Sequence, residues 1–105
     1  MHVLVITFHL DGISEVEYLA TCNQVAPAFA AVPGLISKTF IADRATNTYG
    51  GVYFWRDRDS VEAFKQSDLA RAVATDPTLA GFTIQEFEVL EEPSRVTRGL
   101  AAVAA

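Results

Sequence analysis

The sequence is short of cysteine, of basic residues and of long apolar runs. Its single cysteine, Cys22, cannot form an internal disulfide, which fits a reducing cytoplasm. Eight Lys and Arg residues against 13 Asp and Glu give a net charge of −5, so the phosphate backbone of a nucleic acid would be repelled. No apolar stretch reaches the roughly 20 residues that a membrane-spanning helix needs. We therefore expect a cytoplasmic protein with neither nucleic-acid nor membrane partners.

Several short signature motifs are missing as well. The two histidines, His2 and His9, have no Cys, His or Asp partner at a metal-ligand spacing, so no metal site is predicted. Gly50 and Gly51 fall inside a predicted hairpin rather than between a strand and a helix, which argues against a phosphate-binding loop. The G-x-S-x-G motif of many serine hydrolases does not occur.

The 105 residues are half hydrophobic, which is enough for one folded domain. A capping box at Ser14-Glu15-Val16-Glu17 predicts the start of one helix, and Asp57-Arg58-Asp59-Ser60 predicts the start of another. Runs of β-branched and aromatic residues predict strands at 2–10, 35–42, 49–55 and 82–91. The order β-α-β-β-α-β predicts an α+β, ferredoxin-like fold with an antiparallel sheet. The domain would span residues 1–92, followed by a tail at 93–105.

The predicted strands are apolar on both of their faces. In the first strand, Val3 and Val5 alternate with Leu4 and Ile6. Crossovers of one hand place both helices on the same face of the sheet, so the opposite face has no cover from its own chain. We therefore expect a homodimer whose two sheets pack face to face as a dimeric α+β barrel. The C-terminal tail would pack on the domain or on the partner subunit.

The segment from Gly50 to Asp68 carries a family resemblance. Its aromatic strand ends at Trp55, and the helix that follows contains the run Ala63-Phe64-Lys65-Gln66-Ser67-Asp68. Both features resemble the third strand and second helix of the dimeric α+β-barrel monooxygenases, and Pro33-Gly34-Leu35 matches the turn before their second strand. Within that superfamily the chain is most similar to the YdhR-like monooxygenase family, in its first strand, Leu4 to Gly12, and in Glu91-Glu92-Pro93-Ser94-Arg95.

The resemblance implies an oxygenase of the antibiotic-biosynthesis type that needs no cofactor. Such an enzyme binds a quinol-like or anthrone-like aromatic molecule between helices and sheet, and the deprotonated substrate passes an electron to dioxygen. The superfamily also contains haem-degrading enzymes, which use an Asn on strand one, a Trp on strand three and a His after the second helix. The matching positions here are Thr7, Trp55 and Ala74, so only the Trp is kept and haem degradation is disfavoured.

Three residues are the candidate catalytic groups: His9, Tyr53 and Trp55. His9 is the candidate proton acceptor, because imidazole exchanges protons readily near neutral pH; the alternative is a strand-end histidine bonded to backbone or water. Trp55 could stack on a planar substrate, and Tyr53 could donate a hydrogen bond to a substrate oxygen. The alternative for both is packing in the core. If Trp55 lies opposite Val5, it is ~13 Å from His9 along the strand, and only a substrate of two or three rings spans that gap.

The predicted substrate-binding residues are Thr7, Arg44, Tyr49 and Phe64. Arg44, in the hairpin, could attract an anionic substrate, although a solvated surface charge is the more common role for such a residue. The sequence thus favours a cofactor-independent monooxygenase acting on a small aromatic molecule. The alternatives are a non-catalytic dimer that binds a small molecule in the same pocket, and a structural dimer whose pocket is filled by side chains.

Overall fold

Four strands and four helices follow one another in residues 1–100, the part of the chain that this computed structural model describes. The strands are β1 (His2–Leu10), β2 (Leu35–Asp43), β3 (Thr48–Trp55) and β4 (Leu79–Glu88). The helices are α1 (Glu15–Ala30), α2 (Arg58–Lys65), α3 (Asp68–Ala74) and α4 (Glu91–Val96). This order confirms the predicted ferredoxin-like α+β fold. Residues 101–105 of the predicted tail lie outside the described residues.

The helices begin at the polar residues that the sequence indicates. Ser14 accepts a hydrogen bond from the backbone N–H of Glu17, whose carboxylate in turn accepts from the Ser14 N–H, so the capping box is complete. Asp57 caps α2 through the N–H of Ser60. Ser67 then caps α3, which divides the second helical segment into two short helices. None of the helices in residues 1–100 is both long and apolar enough to cross a bilayer.

The sheet is antiparallel with the strand order β2-β3-β1-β4. In the central pair, Leu4 lies opposite Tyr53 and Phe8 lies opposite Tyr49. Residues directly opposite each other in an antiparallel pair share a face of the sheet. One face therefore carries Tyr49, Tyr53 and Trp55 of β3, and this is the face that α1, α2 and α3 cover.

The core lies between this helix-covered face and the helices. Trp55, Leu4 and Val61 are fully buried and form its centre. The cluster is completed by the nearly buried rings of Phe29, Tyr53 and Phe64. Aromatic rings thus dominate the space between sheet and helices.

The other face of the sheet, here called the open face, carries Val3, Val52, Phe54 and Phe87. Phe87 is 52% exposed, which is high for so large an apolar side chain. The sequence predicts that no element of the chain covers this face, and that prediction is wrong at one end of the sheet. There, residues in and after α4 border a groove of about 520 Å³ together with residues of the sheet: Val3, Val52, Phe54, Leu90, Ser94 and Gly99.

Strand β4 differs from its predicted range at both ends. It begins at Leu79 rather than Phe82 and ends at Glu88 rather than Glu91. Asp76 sets the early start, because its carboxylate accepts hydrogen bonds from the N–H and hydroxyl of Thr78 and forms the turn into the strand. Glu91 instead begins α4, with Pro93 in its first turn, where a missing N–H costs no helical hydrogen bond.

Candidate functional site

Two adjoining cavities lie between the helices and the sheet. The first, here called the α1 cavity, has a volume of about 150 Å³, and its lining includes Cys22, Phe29, Lys38 and Tyr53. The second, here called the β4 cavity, has a volume of about 330 Å³ and is lined by residues of β1, β3, β4, α2 and α3. Tyr53 and Val73 line both cavities, so the two spaces meet at these side chains. Of these two cavities, the β4 cavity is the one that reaches the volume of roughly 300 Å³ at which small-molecule pockets begin.

Tyr53 is the central side chain of this site. Its ring is stacked on Trp55 with 6.1 Å between ring centres, and it packs against Phe29 at 5.9 Å and Phe64 at 5.6 Å. Burial raises the pKa of the Tyr53 phenol, so the hydroxyl keeps its proton at neutral pH. No side chain among residues 1–100 forms a hydrogen bond with this hydroxyl, which leaves it available as a donor to a ligand oxygen.

Lys38 brings a positive charge into the same aromatic surroundings. Its Nζ lies 3.3 Å from the ring centre of Phe29, 4.1 Å from that of Phe40 and 4.6 Å from that of Tyr53. Burial among these rings lowers the pKa of Lys38 from 10.5 to about 8, while the nearby Cys22 opposes the shift. Lys38 and Phe40 were not among the predicted site residues.

Tyr49 and Arg44 lie outside both cavities, in a polar cluster at the start of α1. The Tyr49 hydroxyl donates to Glu15 Oε1 at 2.7 Å, and Arg44 Nε donates to the same oxygen at 2.6 Å. The hydrogen bond from Tyr49, and then that from Arg44, lower the pKa of Glu15. Tyr49 and Arg44, which were predicted to bind substrate, therefore each have a hydrogen-bond partner within the protein. Tyr49 reaches the α1 cavity only indirectly, through its edge-to-face contact with Tyr18 at 5.3 Å.

His9 lies on the open face of the sheet and lines neither cavity. It pairs with Thr48 in β3, and its Nδ1 forms a 2.9 Å hydrogen bond with the backbone oxygen of Asn47. Its ring packs against Gly81 rather than beside Gly50 and Gly51, since a Cβ at Gly81 would come within 2.8 Å of it. This matches the alternative weighed for His9, a strand-end histidine bonded to backbone.

Trp55 is fully buried and lies at the far end of the central strand pair from His9. The register places Trp55 opposite His2, not opposite Val5, so seven residues of β1, or ~23 Å, separate the two side chains along the strand. A substrate of two or three rings does not span this distance. The indole Nε1 of Trp55 is buried without a hydrogen-bond partner in the described residues.

The remaining two predicted residues lie on opposite sides of the sheet. Thr7 pairs with Gly50, and both lie on the open face. Phe64, in α2, lines the β4 cavity and packs on Tyr53. Of the seven predicted site residues, the structure therefore brings Tyr53 and Phe64 together at the cavities, with Trp55 directly behind Tyr53.

His2 and Glu86 form a second polar group, beside the β4 cavity. His2 is 8% exposed, and its Nε2 lies 3.5 Å from Glu86 Oε1. Glu86 also binds Lys65 of α2, and that ion pair lowers the pKa of the Glu86 carboxyl. Lys65 lines the β4 cavity, and its positive charge is thus already paired with the carboxylate of Glu86. In residues 1–100 no three His, Cys, Asp or Glu side chains lie close enough to hold a metal ion.

Comparison with protein families identifies the class of this chain. Residues 3–100 match the family described as "Putative mono-oxygenase ydhR". The chain belongs to this monooxygenase family, which confirms the resemblance drawn from Trp55 and its surroundings. No curated protein sequence matches the chain.

Solved structures share the fold at low sequence identity. The haem-degrader MhuD from Mycobacterium tuberculosis, with two haems bound in its active site, has a TM-score of 0.70 and 19% identity; the match covers 88% of this chain and 98% of that one. SnoaB, a cofactor-independent oxygenase from Streptomyces nogalater in its N63A mutant form, has a TM-score of 0.67 and 22% identity over 86% and 93% of the two chains. A protein from Deinococcus radiodurans described as a "putative antibiotic biosynthesis monooxygenase" has a TM-score of 0.72 and 13% identity over 87% and 94% of the two chains.

The residues that would suit haem degradation do not come together here. Ala74, which stands at the position of the expected histidine, lines the β4 cavity but offers no iron ligand. Thr7, at the position of the expected Asn, points to the open face. Of the two histidines, His2 binds Glu86 and His9 lies on the opposite face from the cavities. The structure therefore does not reproduce that set of residues.

The lowered pKa of Lys38 predicts a pH dependence of stability. Between about pH 8 and 10.5 the unfolded chain holds the lysine proton and the folded protein releases it, so the folded state binds fewer protons. The stability of the wild type relative to Lys38→Met should therefore rise across this window. Urea unfolding of both proteins at about pH 7 and about pH 10 measures the difference. An unchanged difference would contradict the burial of the amine.

Proposed function

We propose that this chain is a cofactor-independent monooxygenase that oxidises a flat quinol-like or anthrone-like molecule with dioxygen. The observation that supports it is the pair of adjoining cavities at Tyr53, with apolar walls and few polar groups. Such a space holds a planar aromatic molecule by apolar contact and fixes its orientation through one or two polar atoms. Membership of the monooxygenase family supplies the reaction type.

In the proposed reaction, the substrate and dioxygen supply all the atoms and electrons of the products. An anthrone-like CH₂ group loses a proton, and the resulting carbanion gives one electron to dioxygen. The two radicals then join through a carbon–oxygen bond to form a peroxide. This peroxide anion takes up a proton from solvent, which replaces the one released in the first step. Loss of water from the resulting hydroperoxide converts the original CH₂ carbon into a ketone, so one oxygen atom enters the substrate and the other leaves in water.

Tyr53 has a defined role in this proposal. Its protonated hydroxyl donates a hydrogen bond to the substrate oxygen that becomes negative when the carbon loses its proton. Phe64 and Trp55 support the Tyr53 ring from two sides, at 5.6 and 6.1 Å between ring centres. His9 lies on the opposite face of the sheet, so the proposal gives it no contact with the substrate.

The proposal includes two copies of the chain. Val3, Val52, Phe54 and the half-exposed Phe87 leave an apolar surface on the open face. Within residues 1–100, Ser94 of α4 and Gly99 border one end of this surface, in the groove beside α4. A second copy with the same surface would cover the rest by a two-fold contact. The single cysteine supports a cytoplasmic location for this dimer, because it cannot form an internal disulfide.

Dioxygen consumption with anthrone in metal-free buffer tests the proposed reaction. Tyr53→Phe should keep the fold and lower the turnover rate by about tenfold or more, because the developing oxyanion loses its donor. Gln24→Ala, which removes a polar side chain from an exposed position of α1 outside both cavities, serves as the control and should leave turnover within about twofold. Thermal stabilisation by anthrone without dioxygen consumption would contradict the oxygenase and favour a non-catalytic binding protein.

Sedimentation tests the proposed dimer separately. The wild type should sediment at twice the chain mass of 11.4 kDa at micromolar concentration. Val52→Glu places a charge in the middle of the open face and should yield a folded monomer, since a buried unpaired carboxylate is costly. Val16→Glu, at a 78% exposed position of α1, should remain dimeric. A monomeric wild type would overturn the dimer.

A further inference from the structure

Building on the proposed function, we propose that the molecule in the cavities is an aromatic anion and that Lys38 binds its negatively charged oxygen. The proposal names a substrate class and a binding residue that the family membership does not supply. It stands on a positive group that reaches an aromatic cavity and has no negative partner in residues 1–100.

The surroundings of Lys38 leave its hydrogen-bonding capacity unused. The rings of Phe29, Phe40 and Tyr53 attract the charge through their faces, at 3.3 to 4.6 Å from Nζ to the ring centres. Ring faces do not replace the acceptors that an ammonium group has in water, and Lys38 offers three donors. A ligand oxygen with a negative charge would satisfy these donors and supply the missing counter-charge.

The acidic groups near the cavities are already engaged elsewhere. Asp76, at the edge of the α1 cavity, accepts two hydrogen bonds from Thr78 at 2.9 and 2.7 Å. Glu15 is held by Tyr49 and Arg44. The remaining titratable groups that line the α1 cavity are Cys22 and Tyr18 from α1 and Tyr53 from β3, and burial raises the pKa of both phenols. No carboxylate of residues 1–100 therefore neutralises Lys38.

Gly51 makes this position of the lysine possible. A Cβ at Gly51 would come within 2.8 Å of Lys38 Cε and 3.2 Å of the Tyr53 ring. The missing side chain in β3 therefore provides the space in which the Lys38 side chain runs along the helix-covered face of the sheet towards Phe29. Lys65 offers the contrast, because this second lysine of the chain lines the β4 cavity but binds Glu86.

The test compares two probes of nearly the same shape, the anion naphthoate and its neutral amide naphthamide. Their affinities are measured by fluorescence titration without dioxygen, so that no turnover is needed. The wild type should bind naphthoate more tightly than naphthamide. Lys38→Met should weaken naphthoate binding by about tenfold or more and leave naphthamide binding within about threefold. Arg71→Met is the control: it removes an exposed cation of α3 that lines neither cavity and pairs with Asp68, so it should preserve the preference for the anion.

A pH profile adds a readout that a purely structural lysine would not change. Naphthoate affinity of the wild type and of Arg71→Met should fall as the pH rises through about 8, because Lys38 loses its charge there. Lys38→Met should show no such fall, and Lys38→Arg should bind naphthoate with no loss near pH 8, since its guanidinium stays charged.

The outcomes separate this inference from the proposed function. Selective loss of naphthoate binding in Lys38→Met supports the inference, even if no dioxygen is consumed with any substrate. Equal loss of both probes in Lys38→Met, or an equal affinity of the wild type for both, would overturn it. Either result leaves the dioxygen measurement with anthrone as an independent test of the oxygenase.

Discussion

The antiparallel register of β1 and β3 determines which side chains of these two strands face the cavities. Because Leu4 lies opposite Tyr53, both Tyr53 and Trp55 share the helix-covered face with Leu4 and Ile6. Gly51 falls in the same row, and its missing side chain gives Lys38 the space to reach the cavity. A slip by one residue would turn Tyr53 to the open face and fill that space with the side chains of Val52 and Phe54.

Local signals in the sequence predict the fold well. Ser14 acts as a helix cap where its spacing to Glu17 indicates, because capping depends on residues only three positions apart. The order of strands and helices follows from runs of β-branched and aromatic residues, and one topology accommodates it. The family resemblance depends on Trp55 and the helix after it, which are also contiguous in the chain.

The site was harder to predict because it depends on register between distant strands. The sequence does not show that Trp55 pairs with His2, and this pairing is what separates it from His9 by nearly the whole of β1. The sequence also does not show that Lys38 faces the cavities. An irregularity between Leu35 and Ser37 reverses the alternation of side chains between the two faces of β2. Simple alternation from Leu35 would place Lys38 on the open face, whereas the irregularity turns it towards Phe29.

The central claim is that an aromatic anion binds between the helices and the sheet, at Tyr53 and Lys38. Nuclear Overhauser effects between naphthoate protons and the protein in solution test it most directly. The account predicts contacts from the ligand rings to Phe29, Tyr53 and Val73, which line the cavities. Contacts confined to Val3 and Phe54, in the groove beside α4, would place the ligand on the other face of the sheet and contradict the account.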